Sequence, residues 1–262
     1  MNPPAVFLGP TLPLCEARQL LPEATFIGPA RQGDLYAALA HRPAALLLID
    51  GVFDQELAVW HKEILWALAR GVRVYGAASM GALRAAELVS FGMVGVGAIF
   101  EAFATGILED DDEVALAHEA GSGGYRPLSE AMVNIRATLQ RAEQAGVISA
   151  ATAARLVRVG KTIFYPQRSL SAILETLGTL DTLDTLAANS AAHAESARLE
   201  RWLAETPGAR VDQKRLDAEA ALRRVAADVP TFEKPQPPRF HFEYTEAWHE
   251  FRRQAALRGR PG

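Results

Sequence analysis

Cysteine is almost missing from this sequence, and Cys15 stands alone. That excludes an intramolecular disulfide and a cysteine-rich zinc site. Long apolar runs are missing too. Stretches such as AALLLI (44–49) fall far short of the roughly 20 residues a membrane helix needs. No basic segment precedes the apolar stretch of MNPPAVFLGP, so no export signal is expected. Positive charge is not in excess: 27 Lys and Arg against 31 Asp and Glu leave a net charge of −4. This argues against nucleic acid as the main partner, and the basic stretch FRRQAALRGR (251–260) reads as a solvated helix end. Neither G-x-G-x-x-G nor G-x-x-x-x-G-K-[ST] stands between a strand and a helix, so no nucleotide-binding turn is supported. No cofactor, metal, membrane or internal repeat is expected, and a cytoplasmic protein fits these absences.

What is present alternates. AVFLG (5–9) and ATFIG (24–28) are short apolar runs, each stopped by Gly-Pro. GDLYAALA (33–40) reads as a helix opening near Asp34. AALLLID (44–50) has the continuous apolarity of a strand buried on both faces. In DQELAVWHKEILWALARG (54–71), Leu57, Trp60, Ile64, Leu65 and Leu68 form a helical stripe that Gly71 ends. VRVYG (72–76) is the next strand, and MGALRAAELVSFG (80–92) the next helix. The pattern predicts an α/β layer with a parallel sheet and right-handed crossovers. Ligands of such sheets bind beyond the carboxyl ends of the strands. Asp50, Ser79 and both Gly-Pro turns fall there.

Beyond about residue 120 the sequence reads as almost wholly helical. Helices are expected at 128–146, at 149–161 with Ser149 as N-cap, and at 169–178, 193–206 and 211–227. A proline-rich arm (228–245) and a terminal helix (246–257) follow. The expected organisation is therefore an α/β core over 1–120, a mostly helical C-terminal unit over 121–227, and an arm with a terminal helix over 228–262. Tails of this kind often dock on another subunit, which leaves a homo-oligomer open.

Ser79 lies in YGAASMGALRAAEL (75–88), between a strand and a helix. AASMG keeps the S-x-G half of a nucleophile elbow, with Ala77 where the first glycine usually stands. Ser79 reads either as a helix cap or as a nucleophile, and the two are compatible. His61 is the first candidate for its base, although it falls within a helix and reads equally as a surface histidine; His41 and His118 are others. No order of Ser, Asp and His matches a known triad. Asp50, ending the central strand, suits a metal, a base's N–H, a substrate amine or a turn cap. EDDDE (109–113) has ligands for a hard cation, lacks the spacing of a calcium loop, and also suits a helix N-terminus. Arg31, Arg84, Arg126 and Arg136 are candidate anion contacts, and Arg84 and Glu87 are spaced to pair with each other. Cys15 reads as a small apolar residue or a sulfur carrier.

Several of these stretches resemble the TfuA-like family. They are VFLGPTL (6–12), ARQGDLYAAL (30–39), residues 48–103 from LIDGVFDQELAVWHKEIL to VGAIFEAF, LEDDDEVALAH (108–118) and YRPLSEAMVNIRATL (125–139). The likeness runs over roughly residues 5–160, and the helical tail beyond about 165 carries no motif that can be placed. The resemblance implies a helper acting beside a YcaO-type ATP-dependent enzyme in backbone thioamide formation, in ribosomally made peptides and some proteins. It implies two jobs. One is to release sulfide by hydrolysing the C-terminal thiocarboxylate of a small ubiquitin-like sulfur carrier. The other is to help the YcaO partner engage its precursor peptide. ATP use would belong to the partner. On this sequence, the carrier's slim tail would pass Gly76, Ala77, Ala78, Met80 and Gly81, with Arg31 or Arg84 offsetting its charge. Backbone N–H groups around Ser79–Gly81 would hold the thiocarboxylate or the oxyanion. Ser79 would attack or position water, and Asp50, His61 or Glu87 would manage protons. A non-catalytic adaptor that binds the carrier and the YcaO partner is the competing class, and an ordinary serine esterase a third.

Overall fold

The computed structural model describes residues 2–52, 56–121, 124–181, 186–231 and 240–258. The chain forms two compact units, residues 1–109 with 215–262, and residues 110–214.

The first unit opens with β1 (Ala5–Phe7), α1 (Leu14–Leu20), β2 (Thr25–Ile27), α2 (Asp34–Ala38), β3 (Ala45–Leu48), α3 (His61–Ala69), β4 (Arg73–Ala77), α4 (Met80–Leu88), β5 (Val94–Val96) and α5 (Ala98–Ala104). The five strands are all parallel, in the order β2-β1-β3-β4-β5. This is a doubly wound sheet whose strand order reverses between β1 and β3. Successive side chains of a strand point to opposite faces, and both faces are covered here. Phe7, Leu46, Leu48 and Val74 pack with Leu35, Ile64, Ala67, Ala85 and Leu88 from α2, α3 and α4. Val6, Ala45, Leu47 and Tyr75 pack on the other face. That double burial is why AALLLID reads without alternation. The expected helix over 54–71 starts later, at His61. Leu57 lies outside its stripe, 73% exposed, and its carbonyl accepts the Gln32 N–H instead.

The second unit is mostly helical, as expected, but opens with a hairpin that the sequence reading did not foresee. β6 (His118–Gly121) pairs antiparallel with β7 (Gly124–Pro127). Helices α6 (Met132–Gln144), α7 (Ala150–Thr162), α8 (Leu170–Asp181) and α9 (Leu186–Glu205) follow. Their core includes Met132, Ile135, Leu139, Leu156, Ile173 and Leu199. Ser149 caps α7, its side chain accepting the Thr152 N–H.

The chain returns to the first unit through α10 (Gln213–Asp228) and α11 (Glu246–Arg258). This differs from the division expected at 121 and 228. The sequence of α10 looks charge-laced, yet Ala218, Ala221, Leu222 and Val225 fall at helical spacing and are fully buried on the face of Val6 and Tyr75. The Asp217 carboxylate accepts the N–H groups of Ala98 and Ile99 at 3.1 and 2.8 Å, securing the start of α5. In α11, Trp248 is fully buried among Tyr36, Trp60, Trp66, Phe242 and Phe251. The terminal helix thus docks on its own chain. Much of the proline-rich arm, residues 232–239, lies outside the described residues. Among the described residues no helix is long and apolar enough to cross a membrane.

Candidate functional site

The turn from β4 into α4 is strained. Ala78 has φ 66°, a left-handed value rare for a residue with a Cβ. The Ser79 N–H donates to the Ala77 carbonyl at 2.7 Å, closing a three-residue turn around Ala78. Strain of this kind persists only where the surrounding packing enforces it, and it concentrates at functional sites. Ser79 then occupies the N-cap position of α4, but its side chain makes no cap hydrogen bond. The residue is 3% exposed. Of the three backbone N–H groups expected to receive an anion, two are already engaged. Ser79 N–H is held by Ala77, and Gly81 N–H donates to the Ile49 carbonyl at 3.1 Å. Met80 supplies the third.

The small residues beside Ser79 have a packing role. A Cβ at Gly81 would lie 1.8 Å from the Leu48 carbonyl oxygen, and one at Gly76 would lie 2.1 Å from the Gly81 carbonyl oxygen. Helix α4 rests directly on the backbone of β3 and β4. Ala77, Ala78 and Met80 are also buried, and the Met80 side chain lies where a Cβ on Gly51 would stand, 2.7 Å away.

Asp50 is 2% exposed, and its carboxylate is occupied by the chain itself. One oxygen accepts Gly9 N–H at 2.8 Å and Thr11 N–H at 3.1 Å; the other accepts the Thr11 hydroxyl at 2.6 Å. The loop after β2 then crosses to pair Ala30 with Gly51, through Ala30 N–H to Asp50 O (2.9 Å) and Val52 N–H to Ala30 O (3.0 Å). The reversal point between β1 and β3, where doubly wound sheets usually take ligands, is here bound up by the protein's own loops.

His61, Arg84 and Glu87 come together. His61 Nε2 lies 2.7 Å from Glu87 Oε2, and Arg84 donates to the same oxygen at 2.8 Å. Arg84 also donates to the Val59 carbonyl at 3.1 Å, which fixes the guanidinium. Burial pushes the Glu87 carboxyl up, but the hydrogen bonds from His61 and Arg84 and the charge of Arg84 outweigh it, and the net pKa is below the usual value. Glu87 stands eight residues beyond Ser79 on one helix, about 12 Å along its axis. The cluster is therefore a separate group at the far end of α4, not a base hydrogen-bonded to Ser79. Arg31 is apart from it, exposed and paired with Glu56 at 2.8 Å.

Glu63 was missed by the sequence reading. It is fully buried, and its carboxylate accepts N–H groups from Gly33 (2.9 Å), Tyr36 (3.2 Å) and Trp60 (3.2 Å). Burial raises its pKa despite these bonds. The signal was legible: a glutamate three residues into a helix reaches back to the N-cap amide.

In the second unit, the EDDDE run forms a short 3-10 turn, not an α-helix start. Asp110, Asp112 and Glu113 present oxygens close enough for one cation, but basic side chains already meet them. Asp112 pairs with Lys161 and, at 2.6 Å, with Arg168; Lys161 reaches Asp110 at 3.0 Å; Arg136 is bidentate on Glu113 at 2.8 and 2.9 Å. Arg126 is taken by Glu119 at 3.0 Å. His118 packs edge-on to Tyr125 in the hairpin, His41 is exposed after α2, and Cys15 is exposed on α1.

Taken together, the first unit is a doubly wound parallel α/β layer with a strained strand-to-helix turn at its carboxyl edge. Residues 50–169 match the family model described as TfuA-like protein. The matched span begins at Asp50 and contains Ser79, His61, Arg84 and Glu87, but not Arg31, His41 or Cys15. No curated protein matches the chain.

Proposed function

We propose that the protein is an accessory factor for YcaO-dependent backbone thioamidation, which hydrolyses the C-terminal thiocarboxylate of a ubiquitin-like sulfur carrier and assists the YcaO enzyme in engaging its peptide. The observation that carries this reading is the TfuA-like match over residues 50–169. The Ala78–Ser79 turn supports the hydrolytic step. A hydroxyl without a capping bond stands at the start of α4, where the helix N-terminus favours an anion. Water, directly or after attack by Ser79, adds to the acyl carbon. The C–S bond breaks, the carrier is left as a carboxylate, and hydrogen sulfide departs. The Met80 N–H is the donor for the developing oxyanion.

A second reading, a non-catalytic adaptor for the carrier and the YcaO enzyme, is favoured by the engaged N–H groups of Ser79 and Gly81 and by the fully used Asp50. Sulfide release from a purified thiocarboxylated carrier, with this protein alone and with the YcaO partner, separates the two. The hydrolytic reading expects release by the protein alone, falling at least about 100-fold in Ser79→Ala. Full release by Ser79→Ala removes Ser79 from the chemistry. Carrier binding without any release establishes the adaptor.

A further inference from the structure

Ala77, Ala78 and Ser79 form a turn closed by one bond, from the Ser79 N–H to the Ala77 carbonyl at 2.7 Å. The closure holds Ala78 at φ 66°. A positive φ at the centre of a three-residue turn is its rare, strained form, and the Ala78 Cβ adds a steric cost that glycine would not carry. Among the described residues the other positive φ outside glycine is at Arg42, which is exposed. Ala78 is fully buried.

The Ser79 side chain is the second observation. The residue is 3% exposed, yet its hydroxyl makes no hydrogen bond among the described residues and is not fully enclosed, so it borders an opening. It stands at the start of α4, where the helix favours an anion. The adjacent donor is masked, however. The Ala77 carbonyl oxygen sits on the Ser79 N–H, so an acceptor rather than a donor meets any anion that comes for it.

The planar Ala77–Ala78 peptide can turn as one body. Half a rotation exchanges the places of its C=O and its N–H. The Ala77 carbonyl then leaves the Ser79 N–H, and the Ala78 N–H takes its position. The same rotation reverses the sign of the Ala78 φ and returns it to the ordinary region. The Cα atoms need not move, so the buried methyls of Ala77 and Ala78 keep their packing. The N–H groups of Ala78 and Ser79 then stand side by side, next to that of Met80, as a backbone cradle for an anion.

We infer that this turn is an anion-triggered latch. At rest the Ala77 carbonyl masks the Ser79 N–H; a carboxylate or acyl oxyanion arriving beside the Ser79 hydroxyl turns the Ala77–Ala78 peptide over and assembles the donor pair. The strain at Ala78 sets the balance, because it raises the energy of the masked turn and brings the open one within reach of a single anion. No covalent step is involved. That the anion is an acyl-sulfur group rests on the function proposed above.

The test titrates the full chain by NMR with two probes, N-acetylglycine as its carboxylate and N-acetylglycinamide. The carboxylate is expected to shift the Ser79 amide and to raise the three-bond HN–Hα coupling of Ala78, which reports the sign of φ. The amide is expected to do neither. Ala78→Gly relieves the masked turn, since glycine takes a positive φ without steric cost. It is expected to bind N-acetylglycine about fivefold or more weakly than the parent. Should that variant not fold, the Ala78 coupling of the parent decides alone. No response to millimolar carboxylate, an unchanged Ala78 coupling in the bound protein, or equal or tighter binding by Ala78→Gly overturns the latch. Its failure is separable from that of the proposed function. Ser79-dependent sulfide release from a protein whose Ala78 coupling stays constant sinks the latch alone. A turn that rotates with the carboxylate in a protein that releases no sulfide sinks the hydrolysis alone.

Discussion

Gly81 on α4 approaches Leu48 on β3 so closely that an added Cβ would stand 1.8 Å from the Leu48 carbonyl oxygen. The obstructing atom is backbone at the last residue of the fully buried strand β3, so nothing can yield cheaply. The helix would have to lift from the sheet and open voids beneath Ala82 and Ala85, both fully buried. Gly81→Ala is therefore expected to cost more than about 3 kcal/mol or to prevent folding. Ser79→Ala, two residues earlier, removes no capping bond and is expected to stay within about 0.5 kcal/mol of the parent. Urea denaturation of the two variants checks the contrast. Equal stability of both would mean that α4 does not lie on β3 as described.

Glu63 ties three segments together, the loop before α2, α2 itself and the start of α3, through N–H donors only. A glutamine there has the same shape but presents an NH₂ group to at least one of those donors. Two donors facing each other in a site with no exposure leave one unsatisfied, at about 2 kcal/mol. Glu63→Gln is expected to lower the urea midpoint accordingly without changing the m-value. An unchanged midpoint would mean that the carboxylate does not collect these amides.

The parts of this architecture that were legible in the sequence are those fixed by local pattern. AALLLID announces a doubly buried strand because Leu46, Leu47 and Leu48 are all fully buried. Gly92, in the left-handed region at φ 102°, marks the end of the helical stretch that holds α4. What stayed hidden depends on partners far along the chain. Asp50 is readable as a strand-end carboxylate, but its ligands Gly9 and Thr11 lie 41 and 39 residues away. Nothing local shows that the carboxylate is already used. The strand β5 hides because VGV is three residues with a central glycine, and that glycine exists to admit Phe100, whose ring atoms would lie 2.1 Å from a Cβ. The helix α10 hides its membership because its buried face is mostly alanine, and alanine is a weak apolar signal amid charge. The grouping of His61 with Glu87 joins two helices 26 residues apart, and only Arg84–Glu87 was within reach of helical spacing.

The His61–Arg84–Glu87 cluster gives a pH signature. Burial pushes the Glu87 carboxyl up, but His61 and Arg84 outweigh it and hold it below the usual carboxylate range. A depressed carboxyl stabilises the fold fully above the unfolded pKa, and loses that contribution as pH falls through the folded one. The stability difference between the parent and Glu87→Gln is thus expected to be flat from pH 7 to about 5 and to close progressively below 4.5. Over a third of each of the His61 and Glu87 side chains is exposed, so solvent screening keeps the plateau below about 1 kcal/mol. Denaturation of both proteins at several pH values measures it. A difference that grows on acidification would reverse the sign and remove Glu87 from this pairing.

The acidic run of the second unit separates a metal site from an ion-pair network. Asp110, Asp112 and Glu113 are matched by Lys161, Arg168 and Arg136, and Arg168 is 1% exposed with further bonds to the carbonyls of Gly160 and Ile163. A divalent cation entering this cluster would first have to displace charges already in contact. Millimolar Mg²⁺ or Ca²⁺ is expected to shift Tm by less than about 1 °C, since a ligand stabilises only as far as it occupies the native state. Lys161→Met leaves three carboxylates facing two guanidinium groups. That variant is expected to lose about 2 kcal/mol, less than a fully buried pair because Lys161 keeps some solvent contact. It is also expected to regain part of the loss when Mg²⁺ or Ca²⁺ is added. Thermal scans with and without the cation decide the matter. A parent protein stabilised by several degrees, or a Lys161→Met variant indifferent to cations, would mean that the charges are not balanced in the way the distances indicate.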